Sequence, residues 1–157
     1  MARQESGIAV VAHNRRARHD FVIEDSYEAG IVLQGTEVKS LREGTCSLNE
    51  AYARPKGDEV FLFDMHIPPY GPASQFNHDP KRPRKLLLQR RELDRIIARC
   101  TERGYTLVPM RLYFKGGYAK VQIGLARRRK HWDDRDKKEA RQRRKDTAAE
   151  LGRRGRR

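Results

Sequence analysis

The chain has 157 residues, 37% of them hydrophobic and 36% charged, with a net charge of +14 and a pI of about 10.3. That size fits one domain with an extension, and that charge calls for a polyanionic partner: RNA, DNA or an anionic membrane surface. The longest apolar run, Ile8 to Ala12, is far too short to span a bilayer, and no apolar segment follows a basic start. No membrane span or signal peptide is therefore expected, and the chain is read as cytoplasmic. Cys46 and Cys100 lie far apart, as a reduced pair of small core residues would.

The charge is uneven. From Ala126 to Arg157 there are fifteen Lys/Arg and six Asp/Glu, a net of +9. The preceding 125 residues carry a net of only +5. The chain thus divides into a flexible start (1–12), a mildly basic globule (13–126) and a strongly basic tail (127–157).

Met1 to Ala12 is expected to be a loose start that becomes ordered near Val10. A basic cluster, Asn14 to Arg18, precedes a strand that opens at Phe21. That strand continues, through a bulge near Asp25-Ser26, into Tyr27 to Leu33. Gly35 breaks the pattern and Thr36 is the expected N-cap of a short helix. Val38 and Leu41 share one side of it, Lys39 and Arg42 a neighbouring side. Glu28 and Glu37 sit among these cations, to orient them or to accept hydrogen bonds from base edges.

Cys46 to Pro55 reads as a strand, Lys56-Gly57-Asp58 as a hairpin turn, and Val60 to Phe63 as a buried strand running on through Met65 and Ile67. Tyr70 to Pro83 is a loop. Lys85 to Leu88 leads into a helix carrying Leu93, Ile96, Ile97 and Cys100, which Gly104 stops. Two last strands, Thr106 to Phe114 and Tyr118 to Ala126, flank the turn Lys115-Gly116-Gly117. In the second, Val121, Ile123 and Leu125 alternate with Lys120, Gln122 and Gly124. Short strands with few helices predict a mainly β protein, a small barrel, and leave open whether it is OB-like.

The tail has only Trp132 and Leu151 as large apolar residues. Without a core it is expected to be disordered when free. Asp133–Lys137, Asp134–Lys138 and Glu139–Arg143 are acid-before-base pairs at i,i+4, each worth about 0.2–0.5 kcal/mol of helical bias. Such a tail suits folding upon a polyanion.

Arg15, Arg16, Arg18, Lys39, Arg42, Lys81 to Lys85, and Lys115 are expected to share one surface. Phe21, Tyr70, Phe76 and Tyr118 are candidates to stack on unpaired bases, with core burial expected for Phe21 and Tyr118. His19-Asp20 and His78-Asp79 lack the further ligands that a catalytic metal needs. Each pair is read as a hydrogen-bonded loop or a base contact. No phosphate-cradling glycine loop or nucleophile elbow appears. The reading is a non-enzymatic binder with no metal and no cofactor.

Four blocks carry a resemblance: Asn14-Arg-Arg-Ala-Arg-His-Asp-Phe21, Glu28-Ala-Gly30, Gly35-Thr-Glu-Val-Lys-Ser-Leu-Arg42 and His78-Asp-Pro-Lys-Arg-Pro-Arg-Lys-Leu-Leu-Leu88. In order and spacing the chain resembles the SsrA-binding protein family, also called small protein B. Its members partner transfer-messenger RNA in the rescue of stalled bacterial ribosomes. The resemblance implies a small closed antiparallel OB-like barrel with peripheral helices. It implies that Asn14, Glu28, Glu37, Lys39, Ser40, Arg42, Lys85 and Leu87 contribute to binding the transfer-RNA-like end of that RNA, with Leu87 shaping the surface. Arg15 and Arg16 join them from the basic cluster.

The tail likewise resembles the family's, which is helical on the ribosome and enters the small-subunit decoding region and message channel. Arg129, Lys130, His131, Trp132, Asp133, Arg135, Lys137 and Lys138 are the implied contacts. Trp132 takes an aromatic-or-His slot, while Arg128 and Asp134 depart from the family's glycine and lysine. The implied partners are transfer-messenger RNA and the ribosome, for a monomeric protein that touches no membrane. The alternative is a ribosomal or ribosome-assembly protein with an OB-like core.

Overall fold

The computed structural model describes residues 4–5, 7–102, 104–129, 141–149 and 151–152. In chain order come β1 (Gln4–Glu5), β2 (Ile8–His13), α1 (Ala17–Asp20), β3 (Phe21–Ile31), α2 (Gly35–Arg42), β4 (Tyr52–Lys56), β5 (Glu59–Phe63), β6 (Arg84–Leu87), α3 (Arg90–Thr101), β7 (Tyr105–Lys115) and β8 (Tyr118–Arg128).

The strands pair in the order β7–β4–β5–β6–β3–β8, and β8 pairs back onto β7. Six antiparallel strands therefore close a small OB-like barrel, as expected. The eleven-residue β7 has room for three neighbours. β4 meets it near its start at Ala53↔Leu107, β2 lies along its far half from Arg111 to Lys115, and β8 runs beside it throughout. Closure removes the exposed sheet edges that invite aggregation.

The β7–β8 hairpin turns on Gly116 (φ 59°) and Gly117 (φ 82°), between the paired Lys115 and Tyr118. Two successive positive φ angles make the tight turn whose twist suits paired strands, and glycine adopts them without strain. Inward residues of β8 are buried as the alternation predicts: Val121 and Ile123 at 0%, Leu125 at 3%. They join Ile31, Leu62, Leu86, Leu107 and Leu112, with Leu41 from α2 and Ile96 from α3. β3 has its bulge between Ile23 and Asp25, close to the expected place.

Several boundaries move. Residues 8–13, where order was expected only from near Val10, form β2 because β7 offers them a free edge. The N-cap of α2 is Gln34, not Thr36. The strand expected over Cys46 to Pro55 begins only at Tyr52. Ser47 instead makes an isolated bridge with His66. Arg84–Leu87 is a strand between β5 and β3, where a lead-in to α3 was expected. β8 runs two residues past Ala126, since Arg127 and Arg128 pair with Val22 and Phe21. In the tail, residues 141–149 are helical and every one is exposed. The acid–base pairs quoted for helical bias begin in 133–139, outside the described residues.

Candidate nucleic-acid interface

The approach to the site begins with a buried charge cluster. The Gln34 N–H donates to Glu37 Oε1 at 2.9 Å, and Arg82 and Arg84 both donate to the same carboxylate. Arg84 also donates to the carbonyls of Met65 (2.5 Å) and Pro80 (3.1 Å). Glu37 and Arg84 are both 0% exposed. Burial works against the Glu37 charge, but the Gln34 N–H and the two guanidiniums outweigh it, holding the carboxyl below its usual range. Ser40, also buried, donates to the Pro68 carbonyl at 2.8 Å.

Glu37 and Ser40, expected to contribute to RNA binding, are both buried. Both side chains are sealed from solvent and tie α2 to the 65–84 segment. His78 is buried in the same region, bonded to Thr36 Oγ1 (2.8 Å) and the Ile67 carbonyl (2.9 Å). A carbonyl only accepts, so His78 Nε2 carries a proton there. His19 and Asp20 bond each other at 3.0 Å. His19-Asp20 thus lies in α1, where a loop was expected, and His78-Asp79 lies in a hydrogen-bonded loop before β6. Among the described residues no group of three or more His, Cys, Asp or Glu could hold a metal ion. No helix among them is long and apolar enough to cross a membrane.

That anchoring leaves the other side of α2 outward. Lys39 lies 5.7 Å from the Tyr70 ring centroid, and the Arg42 guanidinium 4.9 Å from that of Phe114. Both cations are exposed. Tyr70 is itself pinned by Asn77, which bonds its N–H and its carbonyl at 2.8 Å each.

The outer face of the barrel supplies the rest. Residues directly opposite on antiparallel strands share a face. Leu87 faces Gly30, which faces Lys120, which faces Tyr113; Glu28 faces Gln122, which faces Arg111. Lys85, two residues before Leu87, is on the same side and pairs with Glu59 at 2.6 Å. A Cβ on Gly30 would come within 3.2 Å of the Leu87 Cβ and would push Leu87 by a few tenths of an ångström. Leu87 lies across β3 and stays half exposed.

Glu28 is held in place from two sides. The Tyr113 hydroxyl donates to Oε2 at 2.5 Å, and Lys115 Nζ lies 3.4 Å from both carboxylate oxygens. The Tyr113 bond first, then the charges of Lys115 and Lys120, keep the Glu28 carboxyl below its usual range. Tyr113 moves the opposite way, raised by burial and by its bond to the carboxylate. The Arg111 guanidinium sits 4.9 Å from the Tyr113 ring and its Nε donates to Gln122 at 2.9 Å.

Beside this face, His13, Asn14, Arg15 and Arg18 join Met110, Arg111 and Gln122 around an open cleft of about 530 Å³. Asn14 Nδ2 donates to the Pro109 carbonyl at 3.0 Å. Arg16 is exposed at the start of α1.

The structure thus gathers Glu28, Lys85 and Leu87 on one face, with Asn14 and Arg15 at the neighbouring cleft and Lys39 and Arg42 on α2. It adds Arg111, Tyr113, Lys120 and Gln122, which sequence reasoning missed as site residues. The polar half of the β8 alternation carried a signal for Lys120 and Gln122. Nothing in sequence pointed to Tyr113. Tyr118, expected in the core, is 74% exposed at the hairpin tip, and Phe76 is 86% exposed. Arg129 donates its backbone N–H to the Asp20 carbonyl at 2.8 Å. Lys130, His131, Trp132, Asp133, Arg135, Lys137 and Lys138 lie outside the described residues.

A family model described as SmpB protein matches residues 11–153. The chain belongs to the SmpB family. Its similarity to SmpB-family relatives spans nearly its whole length. It is 54% identical over 154 residues to the SsrA-binding protein of Anaeromyxobacter sp. (strain Fw109-5), covering 98% of this chain and 93% of that one. It is 53% identical over 127 residues to the SsrA-binding protein of Geobacillus thermodenitrificans (strain NG80-2), covering 81% and 82%. The fold is similar to a chain in a solved structure of tmRNA–SmpB and the bacterial ribosome. That match has TM-score 0.65 and 47% identity, covering 80% of this chain and 87% of that one.

Proposed function

We propose that this chain is an RNA-binding adaptor that binds transfer-messenger RNA and delivers it to stalled ribosomes in the cytoplasm, acting by recognition and not by catalysis. The observation that carries the reading, beside family membership, is the outer face built around Glu28. A fixed carboxylate surrounded by Lys115, Lys120 and Arg111 is a preorganised polar surface. Cations such as Lys39, Arg42, Arg15 and Lys85 meet phosphates, which position an RNA, while Glu28 and Gln122 offer acceptors to base or ribose groups.

The tail is the second half of the proposal. Its charge of +9 and the full exposure of helix 141–149 suit insertion into an RNA-walled channel. We assign it to the decoding region and message channel, through Arg129, Lys130, His131, Trp132, Asp133, Arg135, Lys137 and Lys138. The test is deletion of residues 130–157, which spares all of β8. The truncated protein is expected to melt like the full chain and to bind transfer-messenger RNA within about twofold, while peptide tagging on stalled ribosomes stops. Tagging by the truncated protein would overturn the tail's role, and failure of the full chain to bind the RNA would overturn the whole reading.

A further inference from the structure

We propose that the outer face of the β4–β5 hairpin is a stacking platform for unpaired RNA bases, adjoining the Glu28 face at Lys85; this rests on the RNA-adaptor reading. In β5, Val60 and Leu62 are 0% exposed, so Phe61 and Phe63 project to the opposite, outward side. Across the hairpin Tyr52 faces Phe63 and Arg54 faces Phe61. The Tyr52 and Phe63 rings are stacked, with centroids 5.3 Å apart and planes at 20°. Phe61 is tilted beside Phe63 at 6.4 Å.

Cross-strand aromatic pairs also stabilise hairpins, but here the rings keep part of their surface open. Tyr52 is 38% exposed, and Phe61 and Phe63 are half-buried. Cations flank them on both sides. On the next strand Lys85 faces Phe61, so Arg54, Phe61 and Lys85 form one row across β4, β5 and β6. The Arg54 guanidinium lies 5.6 Å from the Tyr52 centroid, and a guanidinium plane stacks on bases as an aromatic ring does.

Charge complementarity selects the occupant. Aromatic faces rimmed by cations, in a chain of net charge +14, fit a single strand whose bases stack while its phosphates meet Arg54 and Lys85. Among the described residues Lys85 pairs with Glu59 in a half-exposed ion pair, which a phosphate can replace. The platform also continues the interface already described, because Leu87, next along the outer side of β6, faces Gly30 of β3.

The test uses the full chain and two probes, a single-stranded oligouridylate and transfer-messenger RNA. Tyr52→Leu is expected to weaken oligouridylate binding about tenfold, and Tyr52→Phe to restore it. In a Tyr52→Trp protein, oligouridylate is expected to quench the added fluorescence, and a blunt RNA duplex of equal charge to leave it unchanged. Oligouridylate binding that Tyr52→Leu leaves intact, or equal quenching by the duplex, overturns the platform. So does quenching by a protein partner with none by the oligonucleotide. If Tyr52→Leu does not fold, the Tyr52→Trp titration decides alone. Loss of the platform with transfer-messenger RNA still bound leaves the adaptor reading standing. Oligouridylate quenching without transfer-messenger RNA binding sinks the adaptor reading instead.

Discussion

Tyr113 of β7 donates its hydroxyl hydrogen to Glu28 of β3 across 2.5 Å, bridging the intervening strand β8. The bond places a carboxylate at one fixed point on a cationic face. It also makes Tyr113, itself 2% exposed, a positioning residue for a group that RNA can reach.

Tyr113→Phe tests that relationship, because it removes the bond and keeps the ring. The bond involves a charged acceptor, but Glu28 is 39% exposed and water screens it, so a loss of about 1 kcal/mol is expected. For a chain of this size that corresponds to a drop of about 2–4 °C in Tm at pH 7. The Glu28 carboxyl is depressed in the folded state. Its stabilisation is therefore full above its ordinary value of 4.5 and fades as pH falls through the folded value. Melts of both proteins are expected to draw together as pH falls below 4.5 toward the depressed folded value. Affinity for transfer-messenger RNA at pH 7 is expected to fall several-fold with the core intact by circular dichroism.

Glu37 is a separate case, and its substitution separates support from contact. Removing it strands Arg84 in the core without a counter-charge, at an expected cost of about 3–5 kcal/mol. Urea unfolding of Glu37→Ala is expected to show that loss, and RNA binding is expected to fail only because the fold fails. The Glu37 carboxyl is also depressed, so its stabilisation holds above its ordinary value of 4.5 and is lost as pH falls through the folded one. A well-folded Glu37→Ala protein with weakened RNA binding would return Glu37 to the contact list.

Much of the barrel was legible in the sequence, and the reasons are local. Alternation in β8 and two glycines after Lys115 specify a hairpin without reference to the rest of the chain. β6 was not legible, because Lys85-Leu-Leu-Leu88 has no alternation and meets its partners Phe61 and Gly30 only in the folded barrel. Glu37 shows the same limit at the site. Its partners Arg82 and Arg84 lie 45 and 47 residues downstream, so spacing along α2 placed it among cations without saying that it is buried against these two. Glu28 was found through a resemblance, but its partner Tyr113 is 85 residues away and invisible to any short motif.

Lys39 and Arg42 are the side chains that α2 leaves open to an RNA. They share the outward side of a helix whose other side is pinned by Glu37, Ser40 and Leu41, and each rests over an aromatic ring. The rings steady the cations without neutralising them, so both stay available to phosphates. Lys39→Ala and Arg42→Ala are expected to change unfolding free energy by no more than about 1 kcal/mol, the range of an exposed cation–π contact. Affinity for transfer-messenger RNA is expected to drop, and the slope of log K against log salt to shrink by about one for each lost phosphate contact. Fluorescence anisotropy at four or five salt concentrations measures that slope. A slope unchanged in both variants would show that these two cations meet no phosphate, leaving α2 as a purely structural brace.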